Sequence, residues 1–178
     1  MDLSEVVLGP DPRLSEVCEP IETIDESTKK LAEHMLDIMY ASQGCGLAGP
    51  QIGVMKQICV IDVDWGDNTK KNPYVLINPQ VVETSGDLQV GSEGCLSWPG
   101  ITVEVERPTH VVVHARNLEG KLMRYEAHDN LMCVCMQHEI DHLNGKSMID
   151  HLGPIARMNA MRDYKKAREL GRVPGDTE

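Results

Sequence analysis

Apolar positions along the chain first repeat with helical spacing. Leu31, Met35, Ile38 and Met39 form an i, i+4, i+7, i+8 stripe within residues 26–41, which predicts a first helix with Ser27 as its N-cap. "QICVIDV" (57–63) and "YVLINPQVV" (74–82) read as strands, the second interrupted by a turn at Asn78-Pro79. "ITVEVER" (101–107) alternates apolar and polar residues with period two, as a half-buried strand does. "THVVVHARN" (109–117), the turn "LEGK" and "LMRYEA" (122–127) then continue an antiparallel meander. Helical character returns from about Asp129 to Gly145, glycine being suited to the left-handed residue past a helix end. A third, basic helix over about 154–170 leads into a tail, 171–178, expected to be flexible.

Between the first helix and first strand, "GCGLAGPQIG" (44–53) packs four glycines and a proline into ten residues and reads as a loop. "LGPDPRL" (8–14) reads as a turn-rich lead-in. Helix, several strands, then two helices imply an α+β fold rather than a wound parallel sheet. Antiparallel strands would pack around a central helix, flanked by an N-terminal and a C-terminal helix. The 178 residues suffice for one domain, 1–178, and are too few to expect two.

Composition narrows the function. Aromatics are scarce, with no Phe, two Trp and four Tyr, so ten Met and the branched aliphatics must fill the core. Without aromatic platforms a base-stacking nucleic-acid binder is disfavoured. The net charge of −11 repels DNA and anionic membranes as a whole. It is uneven: Pro154 to Arg172 holds six basic residues against two acidic ones, a local +4 that leaves −15 elsewhere. The N-terminal stretch lacks a basic region and a long apolar run, and no segment approaches the ~20 apolar residues of a membrane span. This predicts a cytoplasmic protein whose six cysteines (18, 45, 59, 95, 133, 135) are free thiols or metal ligands rather than disulfides.

The candidate chemistry starts at "QHEIDHLNG" (137–145). Residues four apart share one helix face, so His138 and His142 can reach a single ion, which would make the central helix a metal-binding one. Glu139 sits close enough to reach a water there. The same letters fit an amphipathic helix with His, Glu and Asp facing water. They also fit an extended zinc peptidase, HExxHxxGxxH, which shares Gly145 but needs a third histidine where this chain has Met148. "EGCLSWPG" (93–100) offers another ligand in Cys95, whose thiolate beside two imidazoles would leave a tetrahedral site one open position. Alternatively, Cys95 is a buried thiol.

"GCGLAGPQ" (44–51), "EGCLS" (93–97) and "QHEIDHLNG", in this order and at these intervals, resemble the three motifs of the peptide deformylases. The likeness extends to "PDPRL" and the basic last helix. It implies that Cys95, His138 and His142 bind one divalent metal ion and that Glu139 is the acid/base in removing formyl from N-formylmethionyl peptides. It further implies that Gln51 and the backbone N–H of Leu96 steady the oxyanion, and that the backbone of Gly46 contacts the formamide. Cys45 matches a pocket position for the methionine side chain, beside Leu131, Val134 and Cys135 on the ligand face of the helix. Glu93 belongs to the same substrate region and is expected to pair with Arg107. His34, His110, His114, His128 and His151 lack ligand spacing.

Two departures stand out: Ala48-Gly49 where the family usually has two alanines, implying looser packing, and Thr102 where many relatives carry Arg. Cys/His/His accepts Zn²⁺, Fe²⁺, Ni²⁺ or Co²⁺. The resemblance favours Fe²⁺ in the cell, with the others in purified protein. It also implies that the basic segment 154–172 docks near the ribosomal exit tunnel. A general metallopeptidase and a non-catalytic binding relative are the competing classes.

Overall fold

A computed structural model describes residues 5–66 and 70–177. The first helix, α1 (Glu26–Ala41), is capped by Asp25, whose carboxylate accepts from the N–H groups of Ser27 at 2.9 Å and Thr28 at 3.2 Å. The cap therefore lies two residues before Ser27, since a carboxylate there reaches two otherwise unpaired N–H groups. The predicted stripe is the buried face: Met35, Ile38 and Met39 are fully buried against Leu47, Ile58 and Ile77.

Five antiparallel strands follow in meander order: β1 (Gly46–Ala48), β2 (Ile58–Ile61), β3 (Tyr74–Gly94), β4 (Thr102–Arg116) and β5 (Leu122–His128). Three expectations change. The glycine-rich stretch is more than a loop, because Gly46–Ala48 pairs with Cys59–Ile61 as the edge strand and Gly49–Ile52 forms a 3₁₀ turn. Segments 101–107 and 109–117 are one strand, since Pro108 pairs with Leu88 without breaking the ladder. Finally, β3 runs on to Gly94. Asn78, at φ +51°, marks an irregularity where the register shifts between Ile77 and Gln80, rather than a turn.

The long β3–β4 ladder ends at Gly94 opposite Thr102, and the connection between them, residues 95–101, carries Cys95. Trp98 in this connection meets Tyr164 of α3 (Pro154–Glu169) edge to face at 4.9 Å, and the Tyr164 hydroxyl donates to the Gly9 carbonyl at 2.9 Å. The connection is thus clamped between the N-terminal segment and the last helix.

The central helix, α2 (Leu131–Leu143), is capped by Asn130 and packs against all five strands. Nine of its residues are buried, including Gln137, His138, Glu139 and His142. Polar residues so enclosed need partners or a ligand, which rules out the amphipathic surface helix. Gly145 follows at φ +72°, the left-handed exit expected of it. Beyond α3, residues 173–176 fold back: Gly100 N–H donates to the Asp176 carbonyl at 2.8 Å, and Val173 N–H to the Asp176 carboxylate at 2.9 Å. Glu178, the end of the expected tail, lies outside the described residues.

Candidate metal centre

One turn of α2 separates His138 from His142, and their rings meet edge to face at 5.0 Å. The β3–β4 connection brings Cys95 Sγ to 3.3 Å from His142 Nε2. One donor atom from each of Cys95, His138 and His142 lies within 4.8 Å of the others. Two donors sharing one tetrahedral ion sit roughly 3.5 Å apart, so the spacing suits a single cation.

The partners of these side chains strengthen the fit. His138 Nδ1 lies 2.9 Å from Glu93 Oε2, which assigns the ring proton to Nδ1 and leaves Nε2 as the donor atom. Glu93 is itself gripped by Arg107, whose Nη2 donates at 3.0 Å, and Arg107 Nη1 reaches Asp141 at 2.9 Å. The pairing expected between Glu93 and Arg107 is present, and the Glu93 carboxylate is engaged by protein on both oxygens. Burial alone would raise the Glu93 carboxyl, but the bonds from His138 and Arg107 outweigh it and hold it at about 2. His142 is held well below its ordinary value by burial and by His138, giving the neutral imidazole a metal requires.

Glu139 is buried, and its Oε2 has no hydrogen-bond partner among the described residues. Burial pushes its carboxyl up to about 8. An unpartnered carboxylate is costly to bury unless a cation lies nearby. Together, the convergent thiol and imidazoles and this orphaned oxygen suit a divalent ion.

Cys95, His138 and Glu139 border a cavity of about 220 Å³. Its walls include Cys45, Gly46, Gln51, Glu93, Cys95 and Leu96 on one side and Leu131, Val134, Cys135, His138 and Glu139 of α2 on the other. Only His142 among the sequence-identified residues is absent from the lining, being fully buried behind it. Gln51 is oriented by its own loop: Ala48 N–H donates to its Oε1 at 2.8 Å, so its Nε2 faces Ser97 Oγ (3.2 Å) and Cys95 Sγ (3.5 Å). A Cβ on Gly46 would lie 2.3 Å from Glu139 Oε1. Gly49 does not loosen the loop; a Cβ there would meet the carbonyl oxygens of Val54 at 2.6 Å and Lys56 at 2.8 Å. The Cys45 and Cys135 sulfurs stand 3.0 Å apart.

Sequence reasoning missed several neighbours. Ser97, fully buried, accepts from Gln51; Asp141 steadies Arg107; and Gly175, Asp176 and Thr177 reach the cavity from the C-terminal end. Asp141 stood inside the quoted motif. The tail residues carry no sequence signal, because only the fold brings them there.

A buried carboxylate next to a histidine of a three-donor cation site is the arrangement of a metal-dependent hydrolase. The comparisons specify which. The sequence pattern of the polypeptide deformylase family matches residues 3–158. A peptide deformylase of Bartonella henselae is 46% identical over 166 residues, covering 93% of each chain. One from Hydrogenovibrio crunogenus is 42% identical over 93% of this chain and 95% of its own. Among solved structures, a peptide deformylase from Legionella pneumophila superposes with a TM-score of 0.86 at 41% identity, covering 93% of this chain and 95% of that one. Another, from Synechococcus elongatus in complex with actinonin, gives 0.83 at 36% identity over 90% and 85%. The chain belongs to the polypeptide deformylase family, metal-dependent hydrolases that remove the formyl group from peptide N-termini.

Proposed function

We propose that this chain hydrolyses the formamide of N-formylmethionyl peptides, with Cys95, His138 and His142 holding one divalent ion and Glu139 moving the proton. The observation that carries the reading is the meeting of three donor atoms within 4.8 Å beside a buried carboxylate lacking a partner. A divalent ion held there acts as a Lewis acid and lowers the pKa of water.

Glu139 takes the proton of the attacking water and delivers it to the departing amine, releasing formate and a free N-terminus. The Gln51 amide, fixed by Ala48, and the N–H of Leu96 donate to the oxyanion that develops on the formyl oxygen. The bare backbone of Gly46 lets the formamide lie close to Glu139. Cys45, Leu131, Val134 and Cys135 wall the space for the methionine side chain. Glu93 holds His138 in the ligand tautomer, with Arg107 compensating its charge. Fe²⁺ is the ion we assign in the cell, with Zn²⁺, Ni²⁺ or Co²⁺ able to replace it at a Cys/His/His set.

A general metallopeptidase is the weaker reading. Met148, at the position of its third histidine, is packed in the core with Trp98 and Tyr164. Formate release from formyl-Met-Ala-Ser tests the proposal, with acetyl-Met-Ala-Ser and an unformylated peptide as controls. Turnover of the formyl peptide alone supports it; cleavage of internal peptide bonds in all three overturns it. Actinonin, bound in the Synechococcus relative, serves as a competing probe for the same cavity.

We place the chain in the cytoplasm, where ribosomes would supply its formylated substrate; no described helix is long and apolar enough to cross a membrane. Lys165, Lys166 and Arg168 are exposed on α3, while Tyr164 and Ala167 are buried in the fold. They offer an electrostatic contact to ribosomal RNA near the exit tunnel. Replacing these three by Glu while leaving Tyr164 in place should abolish salt-sensitive ribosome co-sedimentation; unchanged binding ends that part of the proposal.

A further inference from the structure

Two thiols meet in the wall of the cavity. Cys45 lies in the turn before β1, and Cys135 lies on α2, three residues before His138. Their sulfurs are 3.0 Å apart, inside the roughly 3.5–4.0 Å at which uncharged heavy atoms normally rest. Neither residue sits on a loose segment. The Cys45 carbonyl accepts from Asp62 N–H at 2.9 Å, and Cys135 belongs to the core cluster under the sheet. Cys45 is partly exposed to the cavity, whereas Cys135 is buried. The nearby Cys133 turns elsewhere, its sulfur 3.7 Å from the Pro108 carbonyl oxygen.

We propose that Cys45 and Cys135 are a modification site, forming a reversible disulfide when the protein meets hydrogen peroxide or a small alkyl hydroperoxide. Cys45, the more accessible thiol, reacts first. Its sulfur attacks the peroxide, the O–O bond breaks, and hydrogen peroxide leaves as one water while Cys45 becomes a sulfenic acid. Cys135 sulfur then displaces the hydroxyl from Cys45, forming the S–S bond and releasing a second water. The two thiols lose two hydrogens and two electrons, which the peroxide takes up. A dithiol reverses the step by thiol–disulfide exchange.

Bond formation draws the sulfurs together by about 1 Å. It thereby pulls the turn carrying Cys45 and Gly46 towards α2, at the wall assigned to the methionine side chain. The consequence for turnover rests on the proposed deformylase function; the bond itself does not.

The test uses the zinc-loaded full chain, because zinc does not react with peroxide by electron transfer. After stoichiometric hydrogen peroxide, the protein is alkylated and digested, and the peptides are weighed. The expected product is a Cys45 peptide joined to a Cys135 peptide, two hydrogens lighter than the separate thiols. Formate release from the linked form should fall roughly tenfold or more and return with dithiothreitol. In Cys135→Ala the linked peptide should vanish, and dimedone should trap the sulfenic acid on Cys45. Should that variant fail to fold, the alkylation pattern of the unmodified chain still decides.

Cys45 and Cys135 both remaining alkylatable while Cys95 is oxidised would overturn the proposal, as would sulfinic acid on Cys45 without a linked peptide. A linked peptide whose formation leaves formate release unchanged would overturn the narrowing of the pocket. A linked peptide in protein that never releases formate would instead count against the deformylase reading alone.

Discussion

The backbone of Gly46 lies directly against the carboxylate of Glu139: a Cβ added at Gly46 would stand 2.3 Å from Oε1 and 2.8 Å from the carboxyl carbon. The backbone of Gly46 cannot retreat, because it is paired with Ile61 across β1–β2, so the Glu139 side chain, which borders the cavity, must give way. Gly46→Ala should therefore displace the carboxylate while leaving all three metal donors in place. An ångström of misplacement costs on the order of 10²-fold in rate. We expect kcat/KM for formate release to fall by about that factor, with one metal per chain retained. Metal analysis and kinetics on one preparation check it.

Burial, which pushes Glu139 up to about 8, makes the metal-free protein pH-dependent. The unfolded chain gives up this proton near the ordinary glutamate value, whereas the folded chain keeps it to about 8. Between those values the folded state binds more protons, so stability falls as pH rises. The contribution is intact below about 4.5 and fully lost above about 8. Glu139→Gln lacks this dependence. The metal-stripped variant should gain on the metal-stripped parent across that window, ending a few kcal/mol more stable. Denaturant titrations at several pH values measure the gap, and a metal in the site should shrink it by favouring the carboxylate.

The buried pair of Arg107 and Glu93 separates stability from metal affinity. Glu93→Leu strands the Arg107 guanidinium with only the partly exposed Asp141, and breaking such a pair costs about 3–5 kcal/mol. It also frees His138 Nδ1, which should weaken metal binding by roughly 10–100-fold. Adding Arg107→Met should restore much of the stability and none of the affinity. Chelator competition and thermal unfolding of both variants distinguish the two effects.

Where side chains alternate against a core, the sequence told the fold. The α1 stripe lies where periodicity put it, because burial on one face imposes the pattern, and α2 exits at Gly145 because the left-handed conformation there suits glycine. Residues 83–92 left no such trace. "ETSGDLQVGS" is exposed on both faces and is held by backbone pairing to β4, so nothing in it alternates. Gly46–Ala48 hid for the opposite reason: Gly46 is set by its closeness to Glu139 and Gly49 by the carbonyls of Val54 and Lys56, and glycines so close together look like a loop. In the site, His138, Glu139 and His142 were legible because one helix carries them at fixed spacing, and Cys95 through its motif. Ser97, Asp141 and the returning residues 175–177 act through tertiary contacts that local sequence does not encode.

The claim on which the rest depends is that Glu139 moves the proton at a site whose metal is held without it. The direct measurement is formate release by Glu139→Gln from formyl-Met-Ala-Ser, with metal content determined on the same anaerobically purified sample. We predict one divalent ion per chain and a loss in turnover of about 10²-fold or more. Near-normal turnover in a metal-loaded variant would contradict the mechanism.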